Sequence, residues 1–326
     1  MTTVHLVDDT TPGGVVRFLD FLTAAAHLGP QEVVSVRRGR WSAPAIEAEV
    51  IVSHLVLSWR NLPMMVALRA RYPGTPIIHV EHHYTPAFVE AEVRHPARFE
   101  TMLRAGFSLF DKVVAVSNAQ ASWLTQNGLV DAAALSVIQP AVQLSAFSEL
   151  SQQSGPVRRI AAIGRLEAIK GLDLVIEALA QTDGLELHIH GEGPERARLE
   201  QLATSLPVVF HGHSDPVDAL AKADAVVMPS RREAYGLVAL EARAAGRPVL
   251  VSGIDGLSDH VTGGAIAVEN TVDNWAAALQ GLDALISPFM LAVSRRRAMA
   301  SGRSCLERWH ALLQEHRHEE ARRSAA

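Results

Sequence analysis

The sequence predicts an α/β protein built from two doubly wound parallel sheets, and three observations carry that expectation. Short Val/Ile-rich runs recur along the chain, six in each half. Helix-length amphipathic segments lie between them, as expected for buried parallel strands joined by crossover helices. A polar stretch near the middle separates the halves.

In the first half, strands are expected at residues 4–7, 33–36, 50–54, 76–80, 113–117 and 136–139, with helical segments such as 15–27 and 61–72 between them. The second half repeats the pattern at residues 160–163, 185–190, 208–211, 225–229, 248–251 and 265–268. Between the halves, Pro140, Gly155, Pro156 and a Ser/Gln-rich run suit a linker. The expected division is therefore a first domain over 1–142, a linker over 143–157 and a second domain over 158–285. Beyond that the chain reads as basic and helical through Arg295, Arg296, Arg297 and Arg303. This segment, 286–326, is either a solvated tail or a helix packing back on the first domain. Ligands bind at the carboxyl ends of strands in such sheets, so a site is expected in a cleft between the halves.

With 326 residues, 48% apolar and 20% charged, the chain is long enough for two cores and too apolar for disorder. The formal charge of −5 gives no reason to expect nucleic acid as partner. Cys305 is the single cysteine and cannot form an internal disulfide. No secretory pattern opens the chain and no apolar run is long enough to span a bilayer, so a cytoplasmic protein is expected, with any membrane contact peripheral, at the inner face.

The sharpest chemistry lies in Pro229-Ser-Arg-Arg-Glu-Ala-Tyr-Gly-Leu-Val-Ala-Leu-Glu241, where a strand ends, a loop follows and a helix begins near Gly236. Glu233 falls in the loop and Glu241 inside the helix, so the two carboxylates touch different parts of one extended ligand. Between them the unpaired amides of the helix start suit an anion such as a diphosphate. Upstream, Ile163-Gly-Arg-Leu-Glu-Ala-Ile-Lys-Gly171 also joins a strand to a helix, putting Arg165 and Lys170 where two cations can converge on phosphate.

These motifs, together with His190-Gly-Glu-Gly-Pro194, Ala223-Asp-Ala-Val-Val-Met-Pro-Ser230 and Glu241-Ala-Arg-Ala-Ala-Gly-Arg-Pro-Val249, resemble the retaining glycosyltransferases of family 4, also called glycosyl transferases group 1. The resemblance covers residues 158–262 most fully. In the first half it rests on Pro12-Gly-Gly-Val15 and Val114-Ala-Val-Ser-Asn118. It implies the GT-B fold, two Rossmann-like domains facing across a cleft, and transfer of a sugar from a nucleoside diphosphate to an acceptor hydroxyl. By the same resemblance, Arg165 and Lys170 grip the diphosphate beside Gly164. Glu241 accepts hydrogen bonds from the ribose, and Glu233 holds the sugar with the backbone amides of Ala234, Tyr235, Gly236 and Leu237. No divalent metal and no other cofactor are implied, because fixed cations and a helix start can stabilise the leaving group. The family's route is attack on the face the leaving group departs from, rather than through a protein nucleophile. A GT-B nucleotide-sugar 2-epimerase and a non-catalytic nucleotide-sugar-binding subunit are the alternatives.

Gly13 and Gly14 lie between the first strand and helix, either as a tight turn or where a ligand approaches backbone amides. In His79-Val-Glu-His-His-Tyr84, His82 and then His83 match the family's histidine loop beneath the donor sugar. The alternatives there are a structural cluster or, with Glu81, zinc. His213, in His211-Gly-His-Ser-Asp-Pro216, matches where the nucleotide base lies, or belongs to a plain loop. Asp8 and Asp9 end a strand or contact the acceptor. Asp255-Gly256 stands where relatives often carry Gly-Gly, which leaves a sugar contact there open. Arg37-Arg-Gly-Arg-Trp41 suits an anionic membrane surface or acceptor, or is a solvated loop. The acceptor is expected to be a glycan, a lipid-linked molecule or a small molecule.

Overall fold

The computed structural model describes residues 2–324, with side chains through His316. The chain forms two units, residues 1–142 with 303–326, and residues 143–302.

Unit 1 contains strands β1 (Thr3–Val7), β2 (Gln31–Ser35), β3 (Val50–Ser53), β4 (Ile77–Glu81), β5 (Lys112–Ala115) and β6 (Leu135–Val137). They form one parallel sheet in the order β2-β1-β3-β4-β5-β6. β1, β3 and β4 are buried along their whole length, which is why their sequences read as continuous apolar runs. Val4, Leu6, Ile51 and Ile77 pack on one side with Leu103 and Leu124. The helix Gly14–Thr23 buries Phe18, Leu19 and Leu22. It stops four residues short of the expected end, and a separate 3₁₀ turn, Ala26–Leu28, leads to β2.

Unit 2 contains β7 (Arg159–Ile163), β8 (Glu186–His190), β9 (Val208–Gly212), β10 (Ala225–Met228), β11 (Val249–Val251) and β12 (Ile266–Ala267). Their order is β12-β11-β10-β7-β8-β9, all parallel. The order reverses between β7 and β10, and at such a switch point the loops leave on opposite sides and open a crevice. Ile160, Val175, Ile176, Leu187, Ile189, Val227, Leu250 and Trp275 form the core.

One expectation needs correction. Residues 143–157 are not a loose linker: Phe147 is 3% exposed within a short helix, Ser145–Ser148. Arg247 Nη1 donates to the Ser151 carbonyl at 2.6 Å, and Arg295 donates to those of Ser148 and Leu150. Apolar side chains hidden among the serines and glutamines supply the packing that composition conceals. Of the two readings of the C-terminal stretch, the packed helix holds and the solvated tail does not. It is a single helix, Pro288–Ser324, with Leu291, Ser294 and Ala298 buried in unit 2 and Cys305, Trp309, Leu312 and Leu313 buried in unit 1. The Trp309 ring lies 6.4 Å from that of Phe18. Helical spacing of these apolar residues outweighs the basic composition.

Candidate active site

In unit 2 the loops leaving β7 and β10 meet at the switch point. Gly171, at φ +65°, lies so close to the Pro229 carbonyl that a Cβ there would overlap it. Arg231 N donates to the Ile169 carbonyl at 2.7 Å. Its guanidinium donates to Asp173 Oδ1 and Oδ2, both at 2.9 Å, a two-pronged pairing that fixes the loops geometrically. Burial alone would raise the Asp173 carboxyl, but the Arg231 hydrogen bond and charge, with Arg198 beyond, hold it below its usual range.

Between the fastened loops, Lys170 Nζ donates to Glu233 Oε2 at 2.6 Å. Both side chains are mostly buried, at 25% and 18% exposure. Arg165 is placed differently: its side chain is 74% exposed and pairs, among the described residues, with Glu167 at 3.1 Å. Gly164, at φ +145°, has open space where a Cβ would stand.

The Glu233 loop ends at Gly236, φ +97°, which precedes the helix Leu237–Ala244. A Cβ on Gly236 would crowd Leu257, Met228 and Glu233 itself. No side chain caps this helix start. The loop is backed by the following segment: Glu233 N donates to Asp255 Oδ2 at 3.3 Å and Gly256 N to the Glu233 carbonyl at 2.9 Å. Gly256 must lack a Cβ because the Ala234 carbonyl lies against it. Asp255-Gly256 therefore shapes the Glu233 loop. Tyr235 is buried against His260, whose Nε2 donates to the Tyr235 carbonyl at 3.1 Å. Burial, with Arg243 next to it, lowers His260 to about 3. Glu241 is 0% exposed, so a ribose can reach its carboxylate only if the surrounding residues shift.

His213 is exposed, whereas His188, His190 and His211 stack in a row along β8 and β9. That row borders a cavity of about 290 Å³ with Arg159, Ser214, Asp218 and Lys222. The alternating positions 188 and 190 on a strand are the signal that could have found it.

Unit 1 gathers its residues at the carboxyl ends of β1, β3 and β4. Gly13 has extended backbone, and a Cβ there would meet only the Thr11 carbonyl, at 3.7 Å, so packing does not demand glycine. Gly14 begins the helix. Asp8 Oδ2 accepts from Val56 N, Asn61 Nδ2 and Arg38 Nε at 3.1–3.3 Å, tying three loops together. His82 is half-buried and its Nε2 stands 2.8 Å from His54 Nδ1. His83 is exposed, and its backbone N donates to Glu81 Oε1 at 2.7 Å. Glu81 thereby shapes its own loop. Among the described residues no group of three or more His, Cys, Asp or Glu side chains is arranged to hold a metal ion. No helix among them is long and apolar enough to cross a membrane.

Residues 157–283 match the family model of glycosyl transferases group 1, and residues 14–146 that of glycosyltransferase family 4. The chain is 31% identical over 213 residues to the D-inositol 3-phosphate glycosyltransferase of Mycolicibacterium paratuberculosis, covering 58% of this chain and 48% of that protein. With the protein of the same name from Segniliparus rotundus it shares 30% identity over 256 residues, covering 69% and 56%. The chain thus spans about half the length of these curated relatives. Among solved structures, HepE of Anabaena in complex with UDP superposes with a TM-score of 0.72 at 16% identity, covering 97% of this chain and 100% of that one. Sucrose-phosphate synthase from Thermosynechococcus elongatus gives 0.72 at 19%, covering 100% of both. Both likenesses are in fold, the two-sheet GT-B architecture. With one glycosyltransferase model on each unit and relatives named for the same chemistry, the chain belongs to the group 1, family 4 glycosyltransferases.

Proposed function

We propose that the protein is a retaining, metal-independent glycosyltransferase that moves a sugar from a nucleoside diphosphate to the hydroxyl of an anionic, lipid-linked acceptor. The observation that carries this reading is Lys170 held 2.6 Å from Glu233, four residues before the uncapped helix start at Leu237, at the unit 2 switch point. Breaking the sugar–phosphate bond builds negative charge on the departing diphosphate. Lys170, the exposed Arg165 and the first amides of the Leu237–Ala244 helix are the groups that receive it. Glu233 then orients the donor sugar.

In the proposed step the acceptor oxygen bonds to the anomeric carbon as the carbon–phosphate oxygen bond breaks on the same face. The hydroxyl proton passes to the departing phosphate oxygen, so the step balances without a protein nucleophile. His82 and the Gly13-Gly14 turn belong to the sugar-binding side of the reaction.

Support for an anionic acceptor comes from unit 1. Trp41 and Trp59 are 81% and 50% exposed, and Arg98 lies over the Trp59 ring at 5.5 Å. Gly39 N donates to Asn61 Oδ1 at 2.9 Å, which brings the Arg37–Arg40 loop beside Arg60. Indoles among guanidiniums suit the interface of a membrane bearing anionic lipids. The relatives' name, which specifies a phosphorylated inositol, is in keeping with an anionic acceptor.

The test is thermal unfolding with UDP, GDP, ADP and their sugar conjugates, each in EDTA. A ligand at 100 times its Kd adds about 2.7 kcal/mol of stability, a shift of several degrees. No shift with any of them would remove the reading.

A further inference from the structure

A row of side-chain hydrogen bonds runs across the unit 1 sheet and ends at His82. The order β2-β1-β3-β4 sets Gln31, His5, His54 and His82 side by side. His5 Nε2 stands 2.8 Å from Gln31 Oε1, His5 Nδ1 2.9 Å from His54 Nε2, and His54 Nδ1 2.8 Å from His82 Nε2. His5 and His54 are 1% and 3% exposed, and successive rings stack at 5.2 and 5.1 Å.

The direction of the row is set by its first member. The Leu22 carbonyl, 2.8 Å from the Gln31 side chain, can only accept, so Gln31 turns its amide nitrogen there and its oxygen toward His5. That oxygen also only accepts, so the proton of His5 sits on Nε2. A neutral imidazole then offers Nδ1 as acceptor, which obliges His54 to donate from Nε2, and the same step obliges His82 to do so. All three rings are neutral near pH 7: burial lowers His5 to about 4 and His82 to about 3, and lowers His54 well below its usual value.

We infer that Gln31, His5 and His54 are positioning residues that hold His82 as its Nε2–H tautomer, so that Nδ1 is presented as a hydrogen-bond acceptor. Among the described residues no protein group bonds to that nitrogen. The ligand group that fits is a hydroxyl of a sugar or polyol, which donates to Nδ1 and keeps its proton; a phosphate oxygen does not fit. Because the row ends in an amide, which takes up no proton at this pH, it fixes a tautomer and does not lead a proton away. The role toward a sugar rests on the proposed transfer reaction, while the tautomer itself does not.

The experiment is long-range ¹H–¹⁵N correlation of the histidine rings in the ligand-free, full-length protein near neutral pH. The His82 signals are assigned by their loss in His82→Gln. Wild type should show His82 with Nε2 protonated and Nδ1 bare. Gln31→Leu, which deletes the fixed acceptor, should bring in the Nδ1–H form. A wild-type His82 protonated on Nδ1, or a Gln31→Leu spectrum identical to wild type, would overturn the inference. If Gln31→Leu does not fold, the wild-type spectrum decides. A protein that transfers no sugar yet shows the pattern keeps the relay and loses the transferase reading; an active transferase with His82 protonated on Nδ1 does the reverse.

Discussion

Lys170 and Glu233 lie 63 positions apart in sequence and form a 2.6 Å ion pair between the loops that leave β7 and β10. In the proposed reaction such a pair keeps the ammonium aimed and lets the carboxylate exchange it for sugar hydroxyls. Lys170→Met alone leaves a largely buried carboxylate unpaired and is expected to destabilise the protein more than the double variant Lys170→Met/Glu233→Gln. Urea unfolding of the two single variants and the double variant measures this, with a coupling of about 1 kcal/mol or more expected. Strict additivity would deny the pair.

Two glycines separate packing from binding. Gly171→Ala puts a Cβ against the Pro229 carbonyl at positive φ, so a loss of about 1–3 kcal/mol in stability is expected. Gly13→Ala meets no such obstacle and should unfold within about 0.5 kcal/mol of wild type. Its effect should fall on turnover instead, which a donor-hydrolysis or transfer assay checks.

Acid should act through two kinds of group. His5, His82, His190 and His260 have folded values of about 4, 3, 4 and 3, below the usual 6.5. The unfolded chain therefore binds protons the folded one refuses, and stability present above pH 6.5 falls as pH drops toward those values. Asp173 is depressed below its usual 3.8, so its contribution is present above that pH and is lost only as pH falls through the lower folded value. Unfolding free energies from pH 8 down to pH 3 should thus decline from 6.5 downward, and Asp173→Asn should differ from wild type least at the acid end. A flat profile between pH 6.5 and 4.5 would contradict the buried histidines.

The exposed indoles carry the membrane prediction. Trp41→Ala combined with Trp59→Ala should reduce sedimentation with vesicles rich in anionic lipid at least several-fold. Binding of wild type should weaken as salt rises, because exposed charges are screened. Equal recovery on neutral vesicles would argue against an anionic surface.

Much of this was legible in the sequence because parallel strands buried on both faces leave continuous apolar runs, and loops at strand ends carry glycine and charge. All twelve expected strand positions are occupied by strands whose limits differ by a few residues. Lys170 and Glu233 could be singled out from their motifs. Their mutual contact could not, since it depends on Arg231 gripping Asp173 and on Gly171 admitting the Pro229 carbonyl. The histidine row was hidden for a similar reason. His5 and His54 read as isolated polar residues in apolar strands, and only the lateral order of the sheet makes them neighbours. Glu241 shows the opposite limit: its place on the helix was evident, its complete burial was not.

In the proposed reaction, unit 2 receives a leaving diphosphate through Lys170 and the helix start at Leu237. Isothermal titration of a nucleoside diphosphate into wild type and Lys170→Ala, in EDTA, measures that contact. Loss of one charged contact predicts at least about a tenfold weaker Kd, equivalent to about 1.4 kcal/mol, with wild-type binding undiminished by the chelator. Equal affinity in the two proteins, or wild-type binding that appears only when a divalent metal is added, would contradict it.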